Sequence, residues 1–202
     1  MIGGRLFLGL IALLACERLF ELWLSRAHAR AAFRAGAHEI GRRHYRAMAL
    51  FHAAFLGSCV LELIRFRPSA PAAVEDLALV VALAAQGLRY WAVAALGPRW
   101  NTRILVWPDA PPVRRGPYRW LRHPNYLAVI LELAAVPMVH GCFRTAIVFS
   151  LGNALLLAIR IPAEEHALGD SYRTAFASTP RLLPGGVPPS SPTPRRHGSL
   201  HG

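Results

Sequence analysis

Five apolar stretches separated by polar, arginine-bearing connections set the pattern of the chain: residues 6–24, 47–64, 77–96, 126–139 and 146–161. A helix that crosses a bilayer needs about 20 predominantly apolar residues, and the first three stretches meet that need. The last two are shorter. They reach the required length when flanking residues such as Asn125, His140 and Arg160 lie at the interface and snorkel; a buried core helix is the other reading of each. The pattern predicts an all-α integral membrane protein with about five transmembrane helices. Arg5, an apolar run and Leu13-Leu14-Ala15-Cys16 only faintly resemble a lipoprotein cleavage box. The apolar run continues past that point, so it reads as the first helix.

Composition sharpens this picture. Of 202 residues, 54% are apolar and 17% charged, too oily for a disordered chain. The formal net charge of +12 points to an anionic partner, and the placement of the basic residues, all arginine, says which. The first connection holds Arg26, Arg30, Arg34, Arg42, Arg43 and Arg46, and the second only Arg65 and Arg67. The third holds Arg99, Arg103, Arg114, Arg115, Arg119 and Arg122, and the fourth Arg144 alone. Arg173, Arg181, Arg195 and Arg196 follow the last stretch. This alternation is what the positive-inside rule requires, with the N-terminus outside and the C-terminus in the cytoplasm. Orientation and anionic membrane lipid account for the arginines, so nucleic acid is not an expected partner. Arginine-only, alanine-rich composition suits a bacterial cytoplasmic membrane.

Cys16, Cys59 and Cys142 lie far apart with no C-x-x-C, which supports neither a disulfide framework nor a thiolate metal site. The histidines and acids lack ligand spacing on one helix face, so no metal is expected. Residues 1–100 read as three N-terminal helices, 101–183 as the half carrying the chemistry, and the Pro/Gly/Ser-rich residues 184–202 as a disordered tail. Polar residues inside the apolar stretches need partners. Glu17 and Glu21 lie four apart beside Arg18, and Glu62, Gln86, Arg89 and Glu132 also sit in or near spans. Interhelical ion pairs are one reading of all of them. Glu132, two turns after the densest polar motif, is also a candidate for facing a substrate cavity.

Two segments are unusually polar for so apolar a chain. In the first, residues 113–126, Gly116-Pro117 signals a turn and Pro124 suits the first turn of a helix. His123 and Asn125 then flank a helix N-terminus, whose free N–H groups attract anionic groups such as a carboxylate. The rings of Tyr118, Trp120 and Tyr126 suit the wall of an adenine-sized pocket, and equally an interfacial aromatic belt. In the second, residues 160–168, Arg160 and Glu164 share a helix face. Pro162 predicts a kink between them. Arginine there suits an anionic substrate group and glutamate a ligand's ammonium or hydroxyls; an exposed intrahelical ion pair is the other reading.

Together the two segments resemble the isoprenylcysteine carboxyl methyltransferase family of integral-membrane methyltransferases. That family carries V-x-x-G-x-Y, R-H-P-x-Y, and then R-x-x-x-E-E-x-x-L with a following Tyr. The matching positions are Val113, Gly116, Tyr118, Arg122, His123, Pro124, Tyr126, Arg160, Glu164, Glu165, Leu168 and Tyr172, within about residues 101–184. The resemblance implies methyl transfer from S-adenosylmethionine, reached from the cytoplasm, to a lipophilic acceptor entering from the bilayer. Tyr118, His123, Pro124, Asn125, Tyr126 and Glu164 would line the cofactor site, Val113 would give backbone contacts, and Arg160 would orient the acceptor, making Arg160 and Glu164 the catalytic pair. Ala128 stands where eukaryotic members usually have Gly, and Pro162 interrupts the Arg-to-Glu turn.

The N-terminal half (Glu17 to Leu22, Ser25-Arg26, and 41–48) resembles a bacterial branch that often accompanies type III polyketide synthases. That branch O-methylates alkylpyrones or related phenolic lipids, which makes the expected acceptor an acidic enol or phenol oxygen. Two rival readings differ in residues. An NADPH-dependent membrane lipid reductase resembles N-Y-x-G-[DE], where this chain reads Asn125-Tyr126-Leu127-Ala128-Val129. A transport or scaffold subunit would depend on Glu17, Glu21, Glu62 and Glu132 instead.

Overall fold

All five apolar stretches lie inside helices. The structure, a computed structural model, describes residues 3–107 and 110–183, the side chains of residues 42–44 excepted. Helix α1 spans Gly4–Arg34, α2 Arg42–Phe66, α3 Ala72–Leu96, α4 Pro124–Met138 and α5 Phe143–Ala175. The expected tail, 184–202, lies outside the described residues. Three segments are long and apolar enough to cross a bilayer on their own: Tyr45–Phe66, Ala72–Arg99 and Phe143–Ala175. Helix α4 is shorter, at 15 residues. Helix α1 has 31 residues, but Glu17, Arg18 and Glu21 interrupt its apolar run.

The distribution of side-chain size explains how this sequence packs in lipid. On α3 the buried residues Glu75, Ala78, Ala82, Ala85, Arg89, Ala92 and Ala95 recur at spacings of three or four. They form one stripe, and it faces α4, the partner α3 touches most extensively. Small residues let helix backbones approach where hydrophobic exclusion gives no driving force, as in a membrane. The large apolar residues point outward: Leu77, Val80 and Leu83 of α3 are all more than 60% exposed, positions that suit acyl chains rather than water. Phe7, Ile11, Leu14, Phe55, Cys59, Leu133 and Val136 form the main core.

The charged residues of the interior hold one another. The Arg89 guanidinium donates to Glu132 at 2.9 Å and lies 3.6 Å from Glu21; Arg18 lies 2.8 Å from Glu21 and 3.9 Å from Glu132. Gln86 donates to Glu17. Glu62 caps α5, accepting from the Thr145 backbone N–H at 2.8 Å and its hydroxyl at 2.6 Å. Interhelical pairing is therefore the role the structure gives these residues, Glu132 included, which lies in this cluster and makes no contact with Arg160.

Two short strands depart from the all-α expectation. Strand β1 (His38–Ile40) pairs antiparallel with β2 (Ile104–Val106), matching Glu39 to Leu105. This ribbon ties the α1–α2 connection to the α3–α4 connection at one end of the bundle. At the other end the α4–α5 connection meets the α2–α3 connection. A Cβ on Gly141, whose φ is 69°, would lie 2.7 Å from the Ser69 backbone. The expected kink at Pro162 is also corrected. Helix α5 keeps helical dihedrals through Pro162, whose fixed φ is compatible with a helix, and breaks at Gly169, where φ is 76° and ψ −168°.

Candidate active site

The chain between α3 and α4 is shaped by a short 3-10 turn, Gly116–Arg119. Gly116 has φ 57°, and a Cβ there would stand 2.7 Å from the Ala95 Cβ and 3.2 Å from the Trp91 indole nitrogen. Only glycine combines that backbone with that proximity. The turn buries Tyr118 against Ala92 and Ala95. Burial first, and the nearby Glu164 carboxylate second, hold the Tyr118 phenol above its usual range, so it is a neutral, protonated ring wall. Trp120 stays exposed, tilted against Trp91 at 5.6 Å between centroids. Val113 is half-buried.

Pro124 opens α4, and His123 is its N-cap residue, as expected from the turn chemistry. The segment after α5 folds back against this point. The Arg122 and His123 N–H groups donate to the Pro180 and Arg181 carbonyls at 2.9 and 3.0 Å. The Arg122 guanidinium donates to the Thr179 carbonyl at 2.6 Å. The His123 Nε2 lies 3.2 Å from Glu165 Oε1, and Arg181 grips the same carboxylate through Nε and Nη2, the latter at 2.6 Å. The His123 ring stacks on Tyr126 at 5.3 Å and lies 6.4 Å from Tyr172. Asn125, on the first turn of α4, has a buried Oδ1 with no hydrogen-bond partner among the described residues.

One chain of hydrogen bonds joins the two polar segments. Arg160 Nε donates to the Tyr126 hydroxyl at 2.7 Å, and that hydroxyl donates to Glu164. Arg160 Nη2 donates to the Thr102 carbonyl at 2.8 Å. Arg160 is buried, so the exposed ion-pair reading fails: Arg160 and Glu164 share a helix face but meet through Tyr126. Thr102 is itself held by α1, because the Ser25 hydroxyl lies 2.7 Å from Thr102 Oγ1 and donates to Asn101 Oδ1 at 2.8 Å. A small cleft of about 40 Å³, lined by Ala47, Met48, Leu156 and Ile159, reaches Arg160 between α2 and α5.

The profile of the isoprenylcysteine carboxyl methyltransferase (ICMT) family matches residues 77–170. A Bacillus subtilis (strain 168) protein, "Uncharacterized protein YpbQ", is 38% identical over 159 residues, covering 79% of this chain and 94% of the relative. The chain belongs to the isoprenylcysteine carboxyl methyltransferase family. An "Uncharacterized protein" of Haemophilus influenzae (strain ATCC 51907 / DSM 11121 / KW20 / Rd) is 27% identical over 156 residues, or 77% of this chain and 90% of its own. The matched region starts inside α3, earlier than residue 101. ICMT members are membrane methyltransferases that use S-adenosylmethionine.

Several residues the structure places here carry little signal in the sequence. Glu165 is visible as the second acid of the ICMT motif, yet its role as the partner of His123 and Arg181 is not. Arg181 follows α5 with no motif of its own. Thr102 contributes a carbonyl, which sequence does not encode, and Ser25 lies 77 residues away from it.

Proposed function

We propose that this ICMT-family protein transfers a methyl group from S-adenosylmethionine to an oxygen of a lipophilic acceptor at a membrane surface. The observation that carries this reading is the Arg160–Tyr126–Glu164 hydrogen-bond chain, which places a cation and a carboxylate on either side of one phenol beside an apolar cleft. The donors and acceptors present fit the cofactor. Asn125 Oδ1 is an unpartnered acceptor, Glu164 offers a carboxylate for an ammonium or ribose hydroxyls, and Tyr118 and the His123–Tyr126 stack offer aromatic walls. When bound, the cofactor supplies an electrophilic methyl group on a sulfonium.

The protein's own contribution is positioning and charge. Arg160, fixed by two hydrogen bonds, holds an anionic oxygen at the membrane boundary; a guanidinium stays charged and directs its donors in a plane. Holding nucleophile and methyl group in line replaces much of the entropic cost of a bimolecular step, so no protein nucleophile is needed. The cleft at Arg160 lies between α2 and α5, whose outer faces carry large apolar side chains, and it marks the side on which the acceptor approaches from the bilayer. An acidic enol or phenol, as in an alkylpyrone, suits Arg160 as an oxyanion once its proton is lost.

The same reading sets the topology. Five helices cross a bacterial cytoplasmic membrane, with the N-terminus outside and the arginine-rich end, which carries the site, in the cytoplasm. Incubating membranes with methyl-labelled S-adenosylmethionine and polyketide lipid extract tests it. Label is expected in an organic-soluble product with the wild type and is expected to fall on the order of a hundredfold with Arg160→Ala. S-adenosylhomocysteine binding is expected to survive in that variant. Undiminished labelling in Arg160→Ala contradicts the assigned role, and the absence of any labelled lipid contradicts the acceptor class.

A further inference from the structure

The end of the bundle away from the candidate active site holds a groove of about 680 Å³ between the first turn of α1, the last turn of α2 and the α4–α5 connection. Arg5, Leu8, Leu63, Arg67 and His140 line it, and none of its lining residues is acidic. Four arginines occupy this end. Arg65 and Arg144 lie over the Phe66 ring, at 5.7 and 4.1 Å. The guanidiniums of Arg5 and Arg67 have no hydrogen bond, ion pair or ring contact among the described residues. The nearby Glu62 carboxylate is already engaged by the start of α5.

Three further features make the groove attractive to an anion. The His140 Nδ1 is buried without a hydrogen-bond partner, while its ring stacks on Phe7 at 5.4 Å. Helix α1 begins at this spot with Gly3 as N-cap, and among the described residues no side chain caps its first N–H groups or its positive dipole end. Arg67 complements the C-terminal dipole of α2, but no backbone carbonyl accepts from its guanidinium. Below these groups the walls are Leu8 and Leu63.

We propose that this groove binds the phosphodiester of one anionic phospholipid, with an acyl chain along Leu8 and Leu63. Two unpaired guanidiniums match a lipid of net negative charge, whereas the phosphodiester of a zwitterionic lipid is already offset by its own headgroup cation, and a soluble phosphate would leave the leucine walls unused. The proposal rests on the bundle being embedded in a membrane and is independent of the methyl-transfer reading.

Photocrosslinking tests it. The full chain in detergent is equilibrated with phosphatidylglycerol carrying a diazirine on its acyl chain, irradiated, and mapped by mass spectrometry. Crosslinks are expected in residues 4–8 and 61–68, competed by unlabelled phosphatidylglycerol but not by phosphatidylcholine or inorganic phosphate. The double variant Arg5→Gln/Arg67→Gln is expected to lower the yield on the order of tenfold with an unchanged melting temperature, while Arg5→Lys/Arg67→Lys retains it. Labelling spread evenly around the bundle, or equal competition by phosphatidylcholine, overturns the proposal. Displacement by inorganic phosphate overturns it in favour of a soluble-anion site. If the glutamine variant does not fold, the wild-type map and competition series decide.

Discussion

Tyr126 concentrates the chemistry of the site in one hydroxyl, which accepts from Arg160 and donates to Glu164. Tyr126→Phe keeps the ring and its stack on His123 but strands a buried guanidinium donor, at a cost of about 1–3 kcal/mol. Thermal melting in detergent is expected to fall accordingly, and S-adenosylhomocysteine is expected to bind about tenfold more weakly; no change in either would show that the hydroxyl is idle. Ser25 acts one step further out. Ser25→Ala removes the hydroxyl that holds Asn101 and Thr102, and Thr102 fixes Arg160. As a positioning residue it is expected to lower acceptor kcat several-fold, with cofactor affinity within about twofold of the wild type; an equal loss in both would assign it to general stability. At this scale the sequence was legible in part. Arg160, Tyr126, Glu164 and His123 are readable because their spacing repeats a family motif. The Tyr126 bridge is not, because Arg160 and Glu164 on one face of α5 imply a direct pair until a second helix, α4, inserts a phenol between them. Glu132 invited a substrate role because an acid in an apolar run needs a partner, and its partners, Arg18 and Arg89, sit on two other helices.

Helices were the most legible elements, since each apolar run is long enough to announce itself. The ribbon of β1 and β2 was not, because three residues carry no usable periodicity and their partners lie in different connections. Pro162 drew attention as a helix breaker, yet the break falls at Gly169, where only the backbone dihedrals reveal it. The glycines at tight approaches give the sharpest test at this scale. Gly141→Ala drives a Cβ into the Ser69–Ala70 backbone at a positive φ, and is expected to cost about 1–3 kcal/mol. Gly9→Ala, with nothing within 4 Å of the added carbon, is expected to be neutral or slightly stabilising. Melting curves followed by tryptophan fluorescence compare the two; equal melting temperatures would contradict the close approach of the two connections.

The whole molecule is a helical bundle whose interior mixes an apolar core with small and charged residues, and whose outer faces also carry large apolar side chains. Its arginine-rich connections meet at the end that carries the Arg160–Tyr126–Glu164 chain. In the proposed topology, which follows the positive-inside rule, that end faces the cytoplasm. In intact cells an impermeant maleimide is expected to label Ser69→Cys and spare Arg30→Cys in a background with the native cysteines replaced; the reverse pattern would invert the topology. The central claim is that the two polar segments together hold a sulfonium cofactor. Calorimetric titration of the detergent-purified chain with S-adenosylhomocysteine and, separately, NADPH tests it most directly. The account predicts saturable binding of S-adenosylhomocysteine that Glu164→Ala weakens at least about tenfold, and no heat with NADPH. Saturable NADPH binding with none to S-adenosylhomocysteine would contradict it.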